Sequence, residues 1–109
     1  MINWEDFDKV DIRVGTVIDV NEFPKAKKPA WQLKIDFGQL GIKNSSAQIT
    51  ENYDKEDLMG RQILAVVNFP PKQIANFFSE CLVLGTPDDK GNIVLLKPDG
   101  RPDNGSQVK

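Results

Sequence analysis

From Val10 to Val20 the chain reads V-D-I-R-V-G-T-V-I-D-V, with Ile12, Val14, Thr16, Ile18 and Val20 at every second position. A period of two predicts a half-buried β-strand. Gly15 inside it predicts a bulge or a sharp barrel bend. Trp31, Leu33, Ile35 and Phe37 alternate in the same way and predict a second strand. Ile42 to Ile49, I-K-N-S-S-A-Q-I, predicts a polar third strand and its exit. Ile63 to Val67 is a continuous β-rich run that Asn68-Phe69-Pro70-Pro71 must end, because proline donates no ladder hydrogen bond. Glu80 to Leu84 supplies a fifth strand and Ile93 to Leu96 a last short one.

Helical signals are few. Trp4 and Phe7 are three apart, with Glu5 and Asp6 near the positive end, and predict one short N-terminal turn that plugs the core. Thr50 to Met59 predicts a loop and short helix closed by Gly60, and Lys72 to Asn76 a single helical turn. Gly38 to Gly41 and Pro87 to Gly91 are turns, and Pro98 to Gly105 is a tail that wraps the surface. Five or six short strands punctuated by Gly and Pro describe an all-β barrel or sandwich. No repeat or linker divides the 109 residues, so residues 1–109 form one domain with a core of about 7–109.

Three strands carry apolar residues at both alternating positions: Ile63 to Val67, Cys81 to Leu84, and Ile93 to Leu96. A lone barrel would leave one face of each in water. The cover is either the N-terminal turn with the C-terminal tail, or a second copy of the chain, since a two-fold contact is the commonest way to bury such a surface.

Composition narrows the chemistry. Histidine is absent and cysteine occurs once, which removes imidazole acid–base and metal chemistry, disulfides and thiolate clusters. Cys81 sits in an apolar strand with no histidine to activate it. The expectation is a non-enzyme without cofactor or metal. The longest apolar runs fall far short of the ~20 residues a membrane span needs, and a cytoplasmic protein with no membrane insertion is expected. Net charge is −2, so any nucleic-acid contact must use a local basic patch.

Three segments carry candidate contacts. Lys25, Lys27 and Lys28 form the dense basic run, followed by Trp31, whose ring offers stacking or core packing. Lys43, Ser46 and Gln48 make the third strand polar enough for hydrogen bonding to a backbone or phosphate, or for an exposed edge. Asn68, Phe69 and Lys72, with Phe77, Phe78 and Ser79, place aromatic rings beside rigid prolines as a pocket wall.

The ordered set Asp11-Ile12-Arg13-Val14-Gly15, Ile35-Asp36-Phe37-Gly38, Leu58-Met59-Gly60-Arg61, Val66-Val67-Asn68 and Ser79 before an apolar run resembles the tRNA-binding domain family. That family includes the C-terminal domain of bacterial methionyl-tRNA synthetase. Ser45 to Thr50, Ala65 to Pro71 and Ser79 to Gly85 resemble its CsaA export-associated chaperones in particular. The resemblance implies a five-stranded oligonucleotide-binding (OB) barrel with a short N-terminal helix and C-terminal extension. It also implies a homodimer and affinity for unfolded preproteins and the export ATPase SecA. Three features depart from the family pattern. Ser46-Ala47-Gln48 replaces a Ser-Gly before Ile49, Leu82 replaces a frequent methionine, and Asn76 replaces a glycine, as a residue tolerant of positive φ. Two readings of Lys27, Lys28, Trp31, Lys43, Ser46, Asn68, Phe69, Lys72, Phe77, Phe78 and Ser79 follow: contacts to unfolded peptides in a chaperone, or contacts to tRNA.

Overall fold

The computed structural model describes residues 1–109. Its centre is a five-stranded antiparallel sheet in the order β3-β2-β1-β4-β7. The strands are β1 (Ile12–Glu22), β2 (Trp31–Asp36), β3 (Ile42–Ala47), β4 (Gln62–Val66) and β7 (Leu82–Val83). Two hairpins complete the chain: β5 (Lys72–Ile74) with β6 (Phe77–Ser79), and β8 (Gly85–Pro87) with β9 (Ile93–Leu95). The helices are short, α1 (Trp4–Asp8) and α2 (Lys55–Leu58). This is the five-stranded, nearly closed barrel expected of an OB-fold.

β1 is long enough to serve two partners, and that length is what curls the sheet. Ile12 to Thr16 pairs with β4, and Thr16 to Glu22 pairs with β2. The free edge left along the first half of β1 is taken by the C-terminal tail. Val14 N–H donates to Ser106 O at 2.9 Å, Gly105 N–H to Val14 O at 2.7 Å, and Val108 N–H to Ile12 O at 2.8 Å. The tail therefore pairs as backbone rather than only lying on the surface.

The register of β1 differs from the simple alternation. The bulge sits at Ile18, between Val17 and Asp19, and not at Gly15. One extra residue reverses the facing of side chains, so Val17 and Val20 are buried while Ile18 is exposed. Gly15 has another reason to be glycine: a Cβ there would lie 2.6 Å from Ile35 Cγ2 and 2.7 Å from Phe37 Cε1. Val17, Leu33, Ile35, Phe37, Leu58 and Ile63 are fully buried and form the heart of the core.

Two helical expectations are corrected. α1 forms, with Asn3 and Asp6 making a reciprocal capping box, but it does not plug the core: Trp4 is 86% exposed and the helix buries nothing. Leu58 of α2 takes that place. The predicted helical turn at Lys72 to Asn76 is instead the β5–β6 hairpin, in which Ala75 takes the positive φ of 53°. Asn76, which replaces the family glycine, does not.

Candidate ligand-binding face

The polar third strand is an edge that the chain seals itself. Glu80 N–H donates to Asn44 O at 2.8 Å, and Asn44 N–H donates back to the Glu80 carboxylate at 2.9 Å. Ser46 N–H donates to Ser79 Oγ at 3.1 Å, and the buried Ser45 hydroxyl to Cys81 O at 3.0 Å. These bonds dock residues 79–81 onto β3, nearly closing the barrel, and place the β5–β6 hairpin beside it.

The Lys25 to Ala30 loop reaches the hairpin from the other side. Phe23 is buried and stacks on Phe77 with ring centroids 5.4 Å apart and planes tilted by 58°. Between loop, hairpin and β3 lies a cleft of about 600 Å³. Lys25, Lys27, Lys28 and Lys72 line it, with Ser46 and Gln48 on the β3 side, and neither a carboxylate nor an aromatic ring lines it. With four ammonium groups and no acid, the cleft carries concentrated positive potential on a chain whose net charge is −2.

On the other flank of the hairpin, Phe69, Pro70, Cys81 and Leu82 line a smaller, mostly apolar pocket of about 300 Å³. Lys72, Ser79 and Glu80 also line it, so Lys72 borders both spaces. A third cavity, about 330 Å³, lies elsewhere between Arg61, Lys97 and Arg101, but Asp57 and Asp99 are interleaved with its cations. Its charges largely offset one another.

Lys27, Lys28, Ser46 and Lys72 thus gather in the cleft, and Phe69 and Ser79 at the apolar pocket. The remaining candidates line neither space. Trp31 packs against the core, donates Nε1–H to Tyr53 O at 2.9 Å and has the Lys55 ammonium 5.8 Å from its ring centroid. Asn68 ties the N-terminus down, accepting from Asp11 N–H at 3.1 Å and donating to Lys9 O at 2.8 Å. Phe77 is engaged with Phe23, while Phe78 is exposed beyond both spaces, opposite Gln73. Lys43, half-buried on β3 opposite Ile35, lines neither. Gln73, which does line the cleft, was not among the candidates. The signal for it was the strand–turn–strand pattern of Lys72-Gln73-Ile74, Ala75-Asn76 and Phe77-Phe78-Ser79.

Cys81 is buried, and that burial pushes its thiol up to about 11, with the Ser45 hydroxyl and Lys43 lowering it and Glu80 raising it. Such a group is protonated and unreactive near neutrality.

Residues 12–107 match the family model described as "Putative tRNA binding domain". The chain belongs to the tRNA-binding domain family. The methionine–tRNA ligase of Porphyromonas gingivalis is 38% identical over 108 residues, 99% of this chain but 16% of the ligase. The chain therefore spans about a sixth of that relative. Among solved structures, the CsaA chaperone protein of Picrophilus torridus is 55% identical, with a TM-score of 0.94 and 100% of both chains covered. Chaperone CsaA of Bacillus anthracis is 54% identical with the same TM-score, covering 100% of this chain and 99% of that one. A MetRS-related protein of Pyrococcus horikoshii, at 23% identity and TM-score 0.88, shares the fold. The CsaA chaperones are alike over the full length of both chains, the MetRS-related protein shares the fold over 100% of this chain and 98% of its own, and the ligases match through one segment of a larger protein.

Proposed function

We propose that the protein is a non-catalytic chaperone of the CsaA kind, binding unfolded preprotein segments in the cytoplasm for export and acting as a homodimer. The observation that supports this most is the junction at Lys72 of a purely basic cleft with an apolar pocket. An unfolded chain exposes, a few residues from its charged side chains, the large apolar side chains that folding mostly buries. In this reading Lys27, Lys28 and Lys72 attract acidic groups, Ser46 hydrogen-bonds, and Phe69 with Leu82 takes an apolar side chain. SecA is a partner that such an export role would require.

The dimer reading rests on the outer side of the barrel. Leu82 lies opposite Val66, Leu84 N–H bonds to Leu64 O, and Leu96 N–H bonds to Leu84 O. The outward side chains of β4, β7 and β9 are therefore neighbours, and Leu82, Val94 and Leu96 are exposed. A second copy would bury them. Two copies would also present two clefts to one extended client, which strengthens binding through effective concentration.

Suppression of aggregation of a chemically unfolded client by stoichiometric protein tests the chaperone reading; undiminished aggregation would overturn it. A second reading, tRNA binding, is favoured by the family match and the four lysines without a carboxylate. It requires affinity that falls steeply with salt, because each neutralised phosphate releases counterions. Absence of a tRNA shift at low salt removes it.

A further inference from the structure

The β5–β6 hairpin leaves one backbone edge open on the cleft, and the geometry points to that edge as a template for an added strand. We propose that an extended polypeptide with acidic residues at alternate positions binds by pairing with β5 at Gln73, completing a three-stranded ribbon. The inference rests on the polypeptide-binding reading of the cleft and specifies how the segment is held.

The two-residue turn at Ala75-Asn76 makes Ile74 and Phe77 the hydrogen-bonded closing pair of the hairpin. Lys72 with Ser79 is then the next such pair, and Gln73 with Phe78 is a non-hydrogen-bonded pair between them. Gln73 N–H and C=O consequently point away from β6, and neither is bonded to any other part of the chain. Two edges elsewhere are matched from within: β3 at Asn44 and Ser46 by Glu80 and Ser79, and the first half of β1 by the tail.

Charge complementarity names the occupant. Side chains of an added strand alternate between faces. Those on the face of Lys72 and Ile74 enter the cleft, where Lys25, Lys27 and Lys28 also stand. Acidic side chains two residues apart meet these cations, and the residues between them lie on the face of Gln73, whose side-chain amide borders the cleft and donates to Ala75 O. Single-stranded RNA is less well suited, because base stacking needs aromatic platforms and no ring lines the cleft.

The probe is a fluorescent peptide alternating Glu and Val, read by polarisation against the full chain. Three comparisons decide the proposal. First, Gln73→Pro removes the N–H while remaining compatible with an edge strand. It is expected to weaken peptide binding by about tenfold or more, the loss of a backbone pair, whereas Gln73→Ala, which keeps the N–H and loses only the cleft-lining side chain, weakens it far less. Second, peptides N-methylated on all Val or on all Glu are compared. Only one series can direct its amides at β5, so one loses binding and the other keeps it. Equal affinity of both series overturns strand addition even if Gln73→Pro unfolds the hairpin. Third, tRNA shift is measured on the same variants. If peptide fails to bind wild type while tRNA binds and is insensitive to Gln73→Pro, the cleft reads phosphate and the polypeptide reading itself falls. If wild type binds peptide and Gln73→Pro binds it equally well, that reading stands and the edge proposal fails.

Discussion

Two strand edges lie on the same side of this barrel and are treated in opposite ways. Along β3, three outward backbone groups that could recruit another strand are matched from within: Asn44 N–H and C=O by both ends of Glu80, and Ser46 N–H by the Ser79 hydroxyl. Along β5, one hairpin away, Gln73 keeps its N–H and C=O free beside four lysines. Unpaired edges invite aggregation, and proteins ordinarily suppress them. A chain that seals one edge with side chains and leaves its neighbour open has divided the surface into a part that holds the fold and a part available to a ligand. Substitutions in the sealed region should therefore move stability and leave cleft binding unchanged, and the reverse should hold for the cleft.

The strongest break on the sealed side is Gly15→Ala. Its new methyl would meet Ile35 and Phe37 at 2.6–2.8 Å, in a fully buried site where neither neighbour has room to retreat. Overpacking of this kind costs ~1–3 kcal/mol, read as a lower denaturant midpoint with unchanged slope. Affinity for peptide or tRNA, measured well below the unfolding transition, should match wild type. A loss of affinity larger than the unfolded fraction explains would show that core and cleft are coupled, and would undo the division between the two edges.

Cys81 tests the same region through pH. Burial raises its thiol from 9.0 to about 11, so the native state holds the proton more tightly than the unfolded chain. Stability from this source is fully present below pH 9 and is lost as pH rises through about 11. The loss reaches about 2–3 kcal/mol at the alkaline end, because each tenfold difference in proton affinity is worth ~1.4 kcal/mol. Urea titrations across that range should show it, and Cys81→Ala should flatten the slope. Alkylating reagents at neutral pH should label the thiol only after unfolding.

The fold was readable because barrel strands announce themselves by alternation and by the residues that stop them. The apolar run ahead of Asn68-Phe69-Pro70-Pro71 marked β4, which ends at Val66, and the Trp31 to Phe37 alternation marked β2 and the buried Phe37 after it, because local chemistry alone dictates those features. What could not be read is what long-range pairing decides. The bulge fell at Ile18, inside the pairing of β1 with β2 just past the change of partner at Thr16, and no local signal marks either. Trp4 has the spacing of a core residue yet stays exposed, since Leu58, more than fifty residues on, occupies the barrel interior. The site behaved alike. The basic run of Lys27 and Lys28 was visible as a charge run, but its partner Lys72 joins it only through the hairpin, and a helical reading of Lys72 to Asn76 hid Gln73. Trp31 and Asn68 looked chemically available, and their hydrogen bonds to Tyr53 and Lys9 show why availability cannot be read from residue type.

The smallest and most telling change is Glu80→Ala. It deletes the acceptor of Asn44 N–H while the backbone bond from Glu80 N–H to Asn44 O remains. A part-buried amide losing a charged acceptor costs about 1–2 kcal/mol, which a thermal midpoint resolves. The variant also converts β3 from a sealed edge into a partly open one, bringing it closer to β5. If peptide affinity stays at the wild-type value, opening β3 adds nothing, and the ligand is selected by the lysines around β5. If affinity or aggregation rises, sealing β3 is itself what confines binding to a single edge, and Glu80 is a determinant of where a client strand can add.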